Sequence, residues 1–338
     1  MSDNHLQHPT SEIPFRIIRM DSIQETKVTW LWYPYIPYGK ITIIQGDPGE
    51  GKTTLVLHLA AALTRGRQIG SDEVREPVTV IYQTAEDGLA DTVKPRLLAA
   101  DADCSRVLVI DETQKCISMT DDRLEEAIRQ TNARLVILDP IQAYLGADVD
   151  MHRANEIRPI MKHLSDLAEK YECAIVLIGH MNKAIGVKAS YRGLGSIDFA
   201  ASARSVLIVA REKEKPQIRV VIHAKSSLAP EGNPIAFELD PDTGFRFIGT
   251  YDADPETLLM GTGGKKKSRL AEELLLSALA QSEVPQQSIL ERARALGISK
   301  RTLDQVKLNL GVSSNRRQDG WYWSLPESND ARLQDCNK

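Results

Sequence analysis

Paired cysteines are missing from this sequence. Its 338 residues hold Cys104, Cys116, Cys173 and Cys336, with no C-x-x-C pair and no ligand-like spacing. That pattern excludes a disulfide-stapled scaffold and a cysteine metal site, and it reads as reduced thiols in a cytoplasmic protein. Long hydrophobic runs are missing too. The longest, such as 135–138 and 174–178, are far too short to cross a bilayer, so no membrane association is expected. The N-terminal MSDNHLQHPTSE lacks the basic-then-apolar layout of a secretory leader. Excess positive charge is absent as well: the net charge of −4 excludes a chain that binds nucleic acid by bulk basicity.

What charge there is lies unevenly. Residues 262–325 hold 11 Lys/Arg against 6 Asp/Glu, while the remainder holds 31 against 40. A basic module on an acidic body suggests that the module meets an anionic partner. Hydrophobic content of 42% and the chain length fit one large soluble domain plus a smaller one. The expected order is a flexible N-terminal segment (1–25), a large core (26–260), a Gly- and Lys-rich linker (261–267, GTGGKKK), a small domain (268–325) and a flexible tail (326–338).

Within the core, apolar strand candidates at 41–45, 78–83, 107–110, 135–138 and 174–179 are interleaved with amphipathic helical patterns at 53–65, 122–132 and 155–171. Continuous apolar strands alternating with helices predict an α/β fold with a mostly parallel central sheet covered on both faces. Strands at 205–210, 218–224 and 235–239, joined by short polar turns, are expected to extend that sheet in antiparallel fashion. In the small domain, helices at 270–280, 286–295 and 299–310 and a hairpin ending in Trp321-Tyr322-Trp323 match a winged helix-turn-helix. Lys300, Arg301 and Lys307 are its candidate DNA-binding cations.

Residues 46–54 read GDPGEGKTT, which is G-x-x-x-x-G-K-[ST] between a strand and a helix. Backbone N–H groups of such a loop and the helix N-terminus receive phosphate oxygens. Gly46, Asp47, Pro48, Gly49, Glu50, Gly51, Lys52, Thr53 and Thr54 therefore form the candidate ATP cradle. Lys52 is expected on the β- and γ-phosphates and Thr53 on Mg2+; Thr54 reads chiefly as a helix residue. The apolar strand ending in Asp139 has the form of a second Mg2+-orienting element. Pro140 follows, so no Glu stands beside Asp139. Glu86, after the strand at 78–83, lies at the carboxyl edge where a ligand crevice opens, and it can take a proton from or orient the attacking water. Asp87 is the competing carboxylate.

The succession GDPGEGKTT, AED, LVILDP and IGHMNK resembles the RecA-superfamily P-loop ATPases, and within them the RepA-type hexameric helicases and their plasmid and prophage relatives. The resemblance spans 30–247. It implies a RecA-like core, Mg-ATP, a homo-oligomeric ring (a hexamer in that family) and action on single-stranded DNA. It implies a catalytic role for Glu86 and a γ-phosphate sensor at His180. It places DNA contacts in the following loop, where Lys183, Lys188 and Arg192 stand. Such rings complete each site with a cation from the neighbour, for which Arg204 and Lys225 are candidates. Related helicases often carry Lys-x-Arg where this chain has Lys225-Ser226-Ser227, which shifts weight to Arg204. The implied activity is a replicative helicase or translocase of a mobile element, with an initiator or primase as a partner. The alternative is an ATP-dependent DNA-binding regulator or loader that does not unwind. A small-molecule kinase would need an Arg-rich lid, which the sequence does not display.

Overall fold

The computed structural model describes residues 17–146, 149–181, 197–253, 258, 262–280 and 282–326. The apolar runs become one nine-stranded sheet. In chain order its strands are β1 (Ile41–Gly46), β2 (Val80–Thr84), β3 (Val107–Leu108), β4 (Leu135–Asp139), β5 (Ala174–His180), β6 (Ser205–Arg211), β7 (Ile218–Ser226), β8 (Ile235–Asp240) and β9 (Gly244–Thr250). Their spatial order is β9-β8-β7-β6-β1-β5-β4-β2-β3. Pairing is parallel from β6 to β3 and antiparallel from β6 outward to β9. This α/β arrangement fits a RecA-like P-loop core.

Side-chain alternation divides the core into two layers, as period two along a strand requires. Ile44, Tyr82, Ile137, Val176 and Ile178 pack on the face holding α1 (Lys52–Thr64). Ile43, Ile81, Val136, Leu138, Ile175 and Leu177 pack on the opposite face. There they meet Leu124 and Ile128 of α3 (Asp122–Thr131) and Ile157, Met161 and Leu164 of α4 (Ala154–Lys170). Each such side chain, fully buried, contributes about 1.5–3 kcal/mol of transfer free energy. Asp121 caps α3 by accepting from the Arg123 N–H at 3.0 Å, and Asn132 ends it in the left-handed region. A short helix, α2 (Lys94–Ala99), follows β2 and has no counterpart in the sequence expectations.

Two expectations need correction. The strands joined by polar turns are antiparallel to one another as expected, but β6 itself joins the sheet parallel to β1, with Ser205 opposite Thr42. The chain leaves β5 at the carboxyl edge of the sheet, and α5 (Ile197–Ser202) leads into β6 at the amino edge, where the Arg204 N–H donates to the Ile41 carbonyl at 3.0 Å. A connection that crosses from one edge to the other makes the next strand parallel. The expected linker at 261–267 is helical from Thr262, as the start of α6 (Thr262–Leu279). Ala271, Leu275 and Leu279 anchor that helix, offsetting the cost of about 1 kcal/mol at each of Gly263 and Gly264, and a nucleated helix extends back through the lysines at little cost.

The C-terminal unit has its own core of Ala271, Leu275, Ile289, Leu303, Val306 and Trp323. It contains α6, α7 (Gln286–Ala295) and α8 (Lys300–Asn309), with a three-stranded sheet. The sheet consists of β10 (Val284–Pro285), β11 (Ser313–Arg317) and β12 (Gly320–Ser324), with β12 central. The Ser299 hydroxyl accepts from the Thr302 N–H at 3.2 Å and caps α8.

Candidate active site

Strand register brings the site residues to one edge. Gly46 is opposite His180, and Thr84 is opposite Asp139, so the cradle, Asp139, His180 and Glu86 all follow carboxyl ends of neighbouring parallel strands. This is the edge where open α/β sheets bind ligands. Gly51 caps α1 with φ +86°, a left-handed conformation, and a side chain there would press against Leu239. At Gly46 a Cβ would lie 2.3 Å from the Val209 carbonyl oxygen. The loop therefore needs glycine at both ends.

Lys52 is 4% exposed. Its Nζ donates to the Gly46 and Asp47 carbonyls, each at 2.9 Å, and lies 3.4 Å from His180 Nδ1. Burial pushes the ammonium below the ordinary lysine range, opposed by Asp139, Glu50, Asp47 and Glu86. An ammonium has only donors, so the contact suits a His180 ring that presents Nδ1 as an acceptor and Nε2 to the other side. That nitrogen is 3.9 Å from Glu86 Oε1. His180 thus stands between the cradle lysine and Glu86. Asp87 is engaged elsewhere: its Oδ2 accepts from Arg96 Nη1 at 2.8 Å, and its N–H donates to Thr84 Oγ1. Of the two adjacent carboxylates, Glu86 is the one beside His180.

Asp139 is 7% exposed and accepts at Oδ2 from the Thr53 hydroxyl at 2.7 Å and the Tyr82 hydroxyl at 3.2 Å. Burial pushes its carboxyl up, with Glu86 adding to the rise and the two hydroxyls and Lys52 opposing it. Tyr82 is itself pushed up, by burial first and by Asp139 next. A hydroxyl and a buried carboxylate in contact are hard oxygen donors of the kind Mg2+ takes beside nucleotide phosphates, so Thr53 and Asp139 fit that ion. Tyr82 is a site residue that the motifs do not point to. The available signal is a tyrosine inside a strand buried on both faces, whose hydroxyl has to find a polar partner.

The candidates for action at a neighbouring site lie elsewhere. Arg204 is exposed at the amino edge of the sheet, opposite the cradle. Lys225 pairs with Val206 at the same edge. Its Nζ donates to the carbonyls of Ala200, Ala201 and Ala203 at 2.7, 3.0 and 2.8 Å, capping the end of α5. Burial, with Arg204 nearby, lowers its ammonium below the ordinary range. Thr54 is half-buried in the first turn of α1. Lys183, Lys188 and Arg192 lie outside the described residues. In the C-terminal unit, Lys300 and Arg301 are exposed and line a groove with Asp304, Gln305 and Leu308. Lys307 is occupied inside the unit, over the Trp323 ring at 4.4 Å and bonded to the Ser314 hydroxyl.

Among known proteins, the DNA repair protein RadA of Bacillus subtilis (strain 168) is 28% identical over 148 residues, covering 43% of this chain and 28% of its own length. RadA of Mycobacterium tuberculosis (strain ATCC 25618 / H37Rv) is 28% identical over 149 residues, with 43% and 28% covered. RadA of Streptococcus pneumoniae (strain ATCC BAA-255 / R6) is 26% identical over 148 residues, with 43% and 31% covered. The chain thus matches less than a third of the length of these relatives. The AAA domain family matches residues 7–185, just over half of the chain and the stretch that carries the cradle, Glu86, Asp139 and His180. The chain belongs to the AAA domain family, with a RecA-like P-loop ATPase core.

Proposed function

We propose that this chain is a Mg-ATP-hydrolysing, DNA-dependent ATPase that works as a homo-oligomeric ring, in the manner of RepA-type helicases or translocases of mobile elements. The observation that carries the proposal is His180, set between Lys52 and Glu86 and immediately followed by the segment bearing Lys183, Lys188 and Arg192. A side chain that meets both the phosphate lysine and the carboxylate can register loss of the γ-phosphate and transmit it to the next segment. The similarity to DNA repair proteins points the same way.

In this scheme the cradle amides and Lys52 hold the triphosphate. Glu86 orients the attacking water and takes its proton. Thr53 and Asp139 hold Mg2+, which when bound neutralises charge on the β- and γ-phosphates. Arg204 reaches the site of an adjacent subunit from the opposite edge of the sheet. The three helices and hairpin of the C-terminal unit act as a winged helix-turn-helix, with Lys300 and Arg301 toward DNA phosphate. A replication initiator or primase is the class of protein partner such a ring would serve.

A second reading is a regulator or loader that hydrolyses ATP on DNA without unwinding it. The basic C-terminal unit, with its own core, favours it. Forked-duplex unwinding separates the two. ATP-dependent strand release supports the helicase, and DNA-stimulated hydrolysis without strand release supports the loader. Hydrolysis indifferent to DNA contradicts both.

A further inference from the structure

Arg211 at the end of β6 and Arg219 near the start of β7 are directly opposite each other in the antiparallel register. Like charges at facing positions destabilise a strand pair unless an anion lies between them. Here that anion is Glu50, in the middle of the phosphate loop. Arg211 Nε is 3.7 Å from Glu50 Oε1, and Arg219 Nε is 3.9 Å from Oε2. Arg211 Nη2 also donates to the Gly49 carbonyl at 3.3 Å. The side chains of Glu50 and Arg219 are 16% and 8% exposed. Among the described residues, Glu50 Oε2 and Arg219 Nε are buried with no hydrogen-bond partner.

A buried ion pair with unmade hydrogen bonds is a poor way to gain stability. What it supplies here is position. The two arginines fasten the one loop whose backbone has to present its N–H groups to phosphate, across a stretch where Gly49 and Gly51 are both left-handed. A lone carboxylate in that loop would repel the incoming phosphates. Two guanidinium groups reverse the sign of the flank and add to the field of Lys52.

We propose that Arg211 and Arg219 are positioning residues for nucleotide binding, acting through Glu50 to hold the phosphate loop in its binding conformation. The proposal rests on the reading of residues 46–54 as an ATP cradle.

The test is Mg-ATP hydrolysis by the full chain, comparing Glu50→Gln, Glu50→Asp and Arg211→Gln with the unaltered protein, with thermal melting in parallel. Glu50→Gln is expected to raise KM for ATP about tenfold, with kcat falling less than about threefold, because the neutral amide removes the charge that holds both guanidinium groups against the loop. Glu50→Asp should recover part of the loss. Arg211→Gln, at a residue whose side chain is 45% exposed, should raise KM about threefold and serves if Glu50→Gln does not fold. A KM within twofold of the unaltered protein in Glu50→Gln, or in Arg211→Gln where that variant stands in, overturns the proposal. So does a lowered melting temperature with unchanged KM, which marks a merely structural pair. If the unaltered chain does not hydrolyse ATP, the cradle reading has failed instead.

Discussion

Thr53 Oγ1 donates to Asp139 Oδ2 across 2.7 Å, joining the first turn of α1 to the end of β4. The pair sets a hydroxyl and a desolvated carboxylate where the charge of a divalent ion would offset the cost of burial. Asp139→Asn keeps the shape and removes the charge. It is expected to cut Mg2+-dependent hydrolysis about 100-fold or more and to raise the Mg2+ concentration needed for half-maximal rate. Titration of activity with MgCl2 at saturating ATP checks this, and an unchanged Mg2+ requirement would remove Asp139 from the ion site.

His58 stacks on Phe245 with ring centroids 3.8 Å apart, and burial lowers its imidazole to about 4 from the usual 6.5. The folded protein therefore refuses a proton that the unfolded chain accepts between these values. Its contribution to stability is complete above pH 6.5 and is lost as pH falls toward 4. Because His58 is only half-buried, the effect is discounted to about 1–2 kcal/mol. His58→Phe should flatten the melting-temperature profile across that window. An equally steep profile in the variant would place the acid sensitivity in other groups.

Lys225 gives its three N–H groups to the end of α5. Lys225→Met is expected to destabilise the fold by about 1–3 kcal/mol, because it leaves carbonyls unpaired. Urea unfolding measures this. Unchanged stability together with abolished hydrolysis would instead assign Lys225 to a neighbouring subunit's site.

In the C-terminal unit, Lys300 and Arg301 are exposed and Lys307 is held over Trp323. Neutralising Lys300 and Arg301 together should flatten the log–log salt dependence of DNA affinity by about one unit for each phosphate that these cations neutralise. Lys307→Met should leave the slope unchanged. Equal effects from both substitutions would contradict the division of roles between these cations.

The parallel heart of the sheet is legible in the sequence because β1, β4 and β5 are buried on both faces and are written as mostly apolar runs, broken in β1 by the buried Thr42 and Gln45. β9 is not. Its Phe245 and Phe247 alternate with the exposed Gly244 and Arg246 in a strand that is nowhere fully buried. The apolar run at 107–110 is longer than β3, which stops at Leu108; Val109 is already exposed. In the site, motif and strand end are enough to place Lys52, Thr53 and Asp139 in one cluster. The preference for Glu86 over Asp87 acquires a geometric basis from His180, which stands beside Glu86, and from Arg96, which occupies Asp87 from a helix that the sequence pattern does not reveal. The facing of Arg211 and Arg219 depends on hairpin register, which residue types alone do not specify.

The most direct measurement is steady-state ATP hydrolysis with and without single-stranded DNA, for the unaltered chain and for Glu86→Gln. A DNA-dependent ATPase with Glu86 as its water-activating carboxylate hydrolyses ATP faster on DNA. Its Glu86→Gln variant binds ATP but turns over about 100-fold or more slowly, with or without DNA. Turnover that ignores DNA, or a Glu86→Gln variant as fast as the unaltered protein, contradicts that function and the role of the carboxylate beside His180.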